Sequence, residues 1–349
     1  MKPKKTFPKS RRSFIKKAIA VGGGLAITPQ MSFGVPAYAP HLLKNRNTIE
    51  GVTIGLITYS FRALEDQTAE ATLSYIKSCE VSAIEMMGGP AETFAGKPKM
   101  KMNRRAFYGL VRKEQNKTLT AYETKELADY RAQYESHNKE SEQWLKSVSL
   151  ESFEKLGKMY ADEGVSIYAY KPSLFSKRNS DDEIRFGMRA AKALGASHIT
   201  LEHPSDDAHT LRLGTLAQQE KIYVAYHGHE QQTPTFWDLA IQQSTYNAMN
   251  LDLGHYVAAG NLQPLQILKD KHMHIKSMHL KDRTTPNNGR KNLPWGTGET
   301  PIVEALQLMR DQQYHFPATV EYEYKTPEDS DVLTEVKRCI TYCKTALSS

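Results

Sequence analysis

From Val52 onward the chain repeats one pattern eight times: a run of four to eight residues rich in β-branched and other apolar side chains, joined to segments whose apolar residues recur at helical spacing. Strands are predicted at residues 52–59, 83–87, 166–170, 197–202, 222–226, 248–251, 274–280 and 318–322. Helices are predicted at 69–79, 149–163, 181–194, 211–220, 237–243, 262–269, 302–310 and 331–347. Alternation of this kind makes the strands parallel and puts the helices outside them, and eight units close an α/β fold, the (β/α)8 TIM barrel. No Gly-x-Gly-x-x-Gly or Walker pattern follows any strand, so a doubly wound nucleotide-binding sheet is only the runner-up.

The spacing breaks once. Between the second and third strands lie about 88–145, a polar insertion with a basic run at 97–105 and a helical stretch at 123–134. A loop of this length is either a lid over the substrate or a solvated surface excursion, and both readings stand. Glu85, inside the second strand, is either functional or paired.

The first 39 residues are set apart from the fold. Ser10-Arg11-Arg12-Ser13-Phe14 followed by an apolar run from Ala18 to Ile27 resembles a twin-arginine export signal, and Ala37-Tyr38-Ala39 supplies a small-x-small cleavage site. The apolar run is shorter than the roughly 20 residues needed to span a bilayer, so no stable membrane insertion is expected after cleavage. The expected domains are a signal peptide at 1–39 and a barrel domain at 40–349, with the mature protein periplasmic or otherwise exported. The signal holds eight Lys and Arg and no acid, which leaves 38 basic against 39 acidic residues and removes the argument for nucleic acid as a partner. Cys79, Cys339 and Cys343 are too few for a disulfide framework. An oligomer is possible; the sequence does not define one.

Metal-ligating residues collect where predicted strands end: Glu202 and His203 at the fourth, His227, His229 and Glu230 at the fifth, Asp252 and His255 at the sixth, His279 at the seventh, Glu321 and Glu323 at the eighth. The carboxyl ends of barrel strands meet on one face, where catalytic groups lie. Residues two apart share a side of a strand, so His227 with His229, His279 with Lys281, and Glu321 with Glu323 point alike. His227, Asp252, His279 and Glu321, from four consecutive strands, make a donor set for one divalent ion with a position left for substrate. Mn, Co, Zn, Mg and Fe all remain compatible. For Asp252, capping of the next helix stands beside ligation.

These residues carry a resemblance. Tyr59-Ser60-Phe61-Arg62, Tyr226-His227-Gly228-His229, Leu251-Asp252-Leu253-Gly254-His255, His279-Leu280-Lys281-Asp282, Trp295-Gly296-Thr297-Gly298-Glu299 and Val320-Glu321-Tyr322-Glu323, in this order, resemble the xylose isomerase-like TIM-barrel superfamily. That superfamily includes the sugar phosphate isomerase/epimerase family, inosose dehydratases and, more distantly, endonuclease IV. The resemblance covers residues 50–345 and implies a metal bound by Asp252, His279 and Glu321. Strand five departs from it, since the epimerases place a Glu where this chain has His227.

The resemblance further implies proton abstraction beside a metal-polarised carbonyl by one carboxylate, with a second returning the proton on the other face. Glu321 survives from that pair. Glu202 or His229 could replace the missing group; a salt bridge of Glu202 to Lys281 or Lys171 and a supporting hydrogen bond from His229 are the alternatives. His255, Lys281 and Arg283 are candidate contacts to substrate oxygens, and Trp295 is a candidate wall for a sugar ring. The expected function is a metal-dependent isomerase or epimerase of an unphosphorylated sugar or polyol. A 3-keto-glycoside lyase or inosose-type dehydratase is the alternative. An endonuclease IV-like phosphodiesterase and an inactive sugar-binding protein follow behind.

Overall fold

The computed structural model describes residues 48–349, and the expected export signal lies outside them. A two-residue strand, β1 (Thr48–Ile49), pairs antiparallel with β2 (Val52–Ile57). The eight predicted strands are β2 and, in order, β3 (Ala83–Met87), β4 (Ser166–Lys171), β5 (His198–Glu202), β6 (Tyr223–His227), β7 (Asn247–Asp252), β8 (Ile275–Leu280) and β9 (Ala318–Val320). Each pairs in parallel with the next, and β9 returns to β2 with Ile54 opposite Ala318 and Leu56 opposite Val320, which closes the TIM barrel.

Twelve helices complete the described chain: α1 (Ala69–Ser78), α2 (Gly88–Phe94), α3 (Arg104–Gln115), α4 (Ala121–Ser147), α5 (Leu150–Asp162), α6 (Asp181–Ala193), α7 (Asp207–Glu220), α8 (Asp238–Gln243), α9 (Leu253–Ala258), α10 (Pro264–Lys271), α11 (Ile302–Asp311) and α12 (Val332–Ser348). Local chemistry sets their starts. Ser180 caps α6 and Thr120 caps α4, each in a reciprocal pair with the Glu three residues on. Asp206 caps α7 and starts it before the predicted Leu211. Among the described residues no helix is long and apolar enough to cross a membrane.

The insertion folds mainly as three helices, α2, α3 and the 27-residue α4, joined by irregular segments at 95–103 and 116–120. Only Leu127 and Trp144 of α4 are buried, and the Trp144 indole anchors that helix by donating to Ala95 O at 2.8 Å. α3 meets α4 through Phe107, whose ring stacks on Tyr134 at 5.8 Å.

Strand alternation sorts the barrel into two environments. Met278 and Leu280 on β8, like Met249 and Leu251 on β7, face the helices and join the core with Leu213, Leu306 and Val336. Their inward neighbours are polar, where barrels more often carry Val, Ile and Leu. Ser277 and His279 on β8, Asn250 and Asp252 on β7, Thr200 and His198 on β5, and Glu85 on β3 are all buried. Register slips by one residue opposite the Ile84/Glu85 step, at Tyr168, and opposite the Met249/Asn250 step, at Lys276. Such bulges re-aim the residues around them, and these two flank inward polar groups. Cys79, Cys339 and Cys343 are buried free thiols.

Candidate active site

The carboxyl ends of β6 to β9 bring the four predicted ligands together. Asp252 lies in register with His279, and His227 with Asn250. Each imidazole is oriented by a buried partner. His227 Nδ1 donates to Asn250 Oδ1 at 2.7 Å, while Asn250 Nδ2 donates to Ser277 Oγ at 2.7 Å. This leaves the His227 Nε2 lone pair facing the pocket, 3.8 Å from Asp252 Oδ2. Burial, then the Lys171 and His279 charges, push the His227 pKa down to about 3 and keep the ring neutral.

His279 stands between two carboxylates. Its Nε2 is 2.8 Å from Glu85 Oε2 and its Nδ1 is 2.8 Å from Glu321 Oε2. Burial opposes its charge, but the two carboxylates outweigh burial and raise its pKa to about 10. Burial pushes Glu85 and Glu321 up as well. The His279 charge more than offsets this for Glu85, and Lys281 with His279 hold Glu321 well below the ordinary carboxylate range. Thr200 Oγ donates to the other Glu85 oxygen at 2.5 Å.

Asp252 performs both roles expected of a strand-end Asp. Oδ1 accepts the His255 N–H at 2.7 Å and caps α9, a short helix the sequence pattern did not reveal. Oδ2 is fully buried without a hydrogen bond. Lys281 Nζ lies 3.0 Å from it, an ion contact that is out of line for a hydrogen bond. Lys281 Nζ also lies 2.9 Å from Glu321 Oε2 and donates to Glu323 Oε2 at 2.7 Å.

This geometry fits a divalent cation. His227, Asp252 and His279 offer donor atoms within 4.8 Å of one another, and Asp252 Oδ2 is a buried carboxylate oxygen lacking a hydrogen bond. Both imidazoles tie their outer nitrogen to a buried acceptor, as metal-bound histidines do. His227 Nε2, Asp252 Oδ2, Glu321 and, once it gives up its proton to a binding metal, His279 Nδ1 would form the ligand set.

A cavity of about 520 Å³ opens over this cluster. At its mouth Glu202, half exposed, pairs with Lys171 at 2.8 Å. The half-exposed His229 has Nε2 3.6 Å from Glu202 Oε2 and its ring 4.5 Å from that of His255. Arg283 Nη1 donates to Glu230 and to His255 Nδ1, and its Nη2 donates to Arg290 O at 2.6 Å. Burial, then Lys281 and Arg283, lower the His255 pKa to about 2.

Asp252 and His279 are buried behind the lining of this cavity, and Trp295 is absent from it as well; Trp295 packs against the core with its ring edge-on to Tyr342 at 5.9 Å. No residue of the insertion lines the cavity either, which fits a surface excursion better than a lid. A larger cavity of about 730 Å³ lies where the strands begin, but carries no carboxylate in its lining.

Sequence reasoning missed Asn250 and Ser277, and placed Glu230 at a strand end without giving it a partner. Period-two spacing puts Asn250 on the side of Asp252, and Ser277 on that of His279, so their inward direction was available; their bonding was not. Glu230 follows the fifth strand, and only the fold brings Arg283 to it.

The chain matches the xylose isomerase-like TIM barrel family over residues 125–342 and belongs to that family. Solved structures with the same fold include a xylose isomerase domain protein from Planctomyces limnophilus, at 12% identity and TM-score 0.55, covering 84% of this chain and 96% of that one. A sugar phosphate isomerase/epimerase from Parabacteroides distasonis aligns at 15% identity and TM-score 0.53, covering 85% and 95%. The probable 3-DHS dehydratase AsbF of Bacillus anthracis aligns at 14% identity and TM-score 0.54, covering 82% and 98%. A comparison with curated protein sequences returned no match.

Proposed function

We propose that this chain is an exported, metal-dependent isomerase or epimerase that moves a proton next to the carbonyl of an unphosphorylated sugar or polyol. Export rests on the twin-arginine pattern in residues 1–39. The carrying observation is that one cavity is lined by His227 and Glu321 of the four-residue donor set and by a separate His–carboxylate pair, and that its cations are already neutralised. Lys171 is paired with Glu202, Arg283 with Glu230, and Lys281 with Glu323. A phosphate would have to break one of these pairs to find a counter-charge, whereas hydroxyls can exchange hydrogen bonds with them.

A bound divalent ion would supply charge stabilisation at the carbonyl oxygen. Glu321, held ionised by Lys281 and His279, is a weak base and is better suited to ligation. Proton transfer falls chiefly to His229, whose accessible imidazole is backed by Glu202 and can take a proton from one carbon and return it to a neighbouring position. His255 and Arg283 orient hydroxyls across the mouth.

The test combines metal analysis of the purified mature chain with a screen of unphosphorylated ketoses and 3-keto glycosides in D2O. Turnover should carry deuterium into the substrate carbon beside the carbonyl. Glu321→Gln and Glu202→Gln should each lower turnover, by on the order of 100-fold or more for the first. Unchanged activity in both variants would refute the mechanism. The replacement of a carboxylate by His227 keeps elimination as a second reading, and release of free aglycone or water from the same substrates would select it.

A further inference from the structure

We infer that Lys281 is an internal counter-cation for the metal ligands, one that a divalent ion displaces from Asp252 and Glu321 onto Glu323. The inference rests on the proposed metal site and adds a competitor for it. Three observations carry it. Lys281 Nζ lies 3.0 Å from Asp252 Oδ2 and 2.9 Å from Glu321 Oε2, two of the oxygens a metal would use. Neither contact has hydrogen-bond geometry, whereas the contact to Glu323 does, at 2.7 Å. The ammonium is therefore anchored by direction at Glu323 and only by charge at the two ligands, so it can leave them without losing its one aligned bond.

The stem of the side chain packs closely on Gly254. A Cβ on Gly254 would come 2.4 Å from Lys281 Cγ and 2.6 Å from Lys281 O, so only glycine lets the lysine pass. With Cγ packed against Gly254, the end of the chain is the part left to shift among the three carboxylates it contacts. An ammonium and a divalent cation at Asp252 Oδ2 and Glu321 Oε2 repel one another, so binding of one weakens binding of the other. Once confined to Glu323, which is partly exposed, Lys281 turns donor capacity toward the cavity and a substrate oxygen. In the absence of metal the same ammonium keeps two buried carboxylates from facing each other uncompensated.

The experiment is calorimetric titration of Mn2+ into the chelator-stripped full chain, comparing wild type with Lys281→Met and Glu323→Gln, with thermal unfolding before and after Mn2+. Lys281→Met should bind Mn2+ at least tenfold more tightly, and Glu323→Gln, which weakens the anchor that draws the ammonium away, about tenfold more weakly. A stripped Lys281→Met protein should also melt earlier and recover more on adding Mn2+. Damage to the fold would not tighten binding, so a gain in affinity separates competition from a structural role. Equal or weaker binding by a folded Lys281→Met overturns the inference and leaves the metal site standing. Should Lys281→Met fail to fold without metal, the Glu323→Gln result decides: unchanged or tighter Mn2+ binding overturns the inference. No binding by any of the three overturns the metal site as well.

Discussion

Removing the Glu85 carboxylate tests the buried network that holds His279. Glu85 is fully buried, accepts from Thr200 Oγ and His279 Nε2, and touches nothing in the cavity. Glu85→Gln keeps the shape and loses the charge. It exchanges a charge-assisted hydrogen bond of about 1.5–3 kcal/mol for a neutral one of about 0.5–1.5 kcal/mol, a loss of about 1–2 kcal/mol. Glu85→Leu leaves the imidazole N–H unpaired and breaks a buried ion pair, with an expected cost of about 3–5 kcal/mol. With a urea slope on the order of 3 kcal/mol/M, the Leu variant should unfold more than about 1 M earlier, and the Gln variant about 0.3–0.7 M earlier. Because Glu85 also orients a proposed ligand, both variants should weaken divalent-metal binding by about 10–100-fold. A Leu variant that unfolds within about 0.3 M of wild type, with unchanged metal affinity, would refute the reasoning.

His198 gives a stability change that runs with pH. It lies between Ser197 Oγ and Ser277 Oγ at 2.9 Å each, and burial, against the pull of Glu85, lowers its pKa from 6.5 to about 4. The folded protein resists a proton that the unfolded chain accepts, so the stabilisation is fully present above pH 6.5 and is lost as pH falls toward 4, by about 3 kcal/mol in all. Urea midpoints at pH 7.5, 5.5 and 4.5 should fall less steeply in His198→Gln than in wild type; parallel curves would remove His198 from the account. Gly254→Ala should cost about 1–3 kcal/mol through the clash with Lys281, read as a lower urea midpoint. Trp144→Ala removes the indole bond to Ala95 O and should expose α4 to proteolysis before the barrel unfolds.

The barrel was legible because each of its eight strands carries its own local signal, and parallel strands with intervening helices have few ways to pack. The meeting of the four proposed ligands was legible because strand ends in such a barrel converge whatever the loops do. Pairing was not legible. Arg283 looks like a cavity cation in sequence, yet Glu230 neutralises it from another strand end. Trp295 lies in the loop after the seventh strand, yet packs beside Tyr342 because α12 presents an aromatic edge there. The ends of Asp252 point to different tasks, and no spacing rule separates an oxygen that caps a helix from one that faces a metal pocket.

The polar interior explains why these features belong together. From Ser197 through His198, Ser277 and Asn250 to His227, each side chain hydrogen-bonds the next at 2.7–2.9 Å across the barrel. An interior of Val and Leu would pack as densely, but could not fix which His227 nitrogen faces the pocket. The second chain, Thr200–Glu85–His279–Glu321, does the same for His279. A half-satisfied network inside a barrel would cost more than it contributes, so every member must keep its partner. The family match spans residues 125–342 and holds all four proposed ligands, while Glu85 comes from β3, before the match begins. Ligand geometry therefore depends on a strand outside the family match, and substitutions at Glu85 or Ser277 should alter metal affinity without touching metal or substrate.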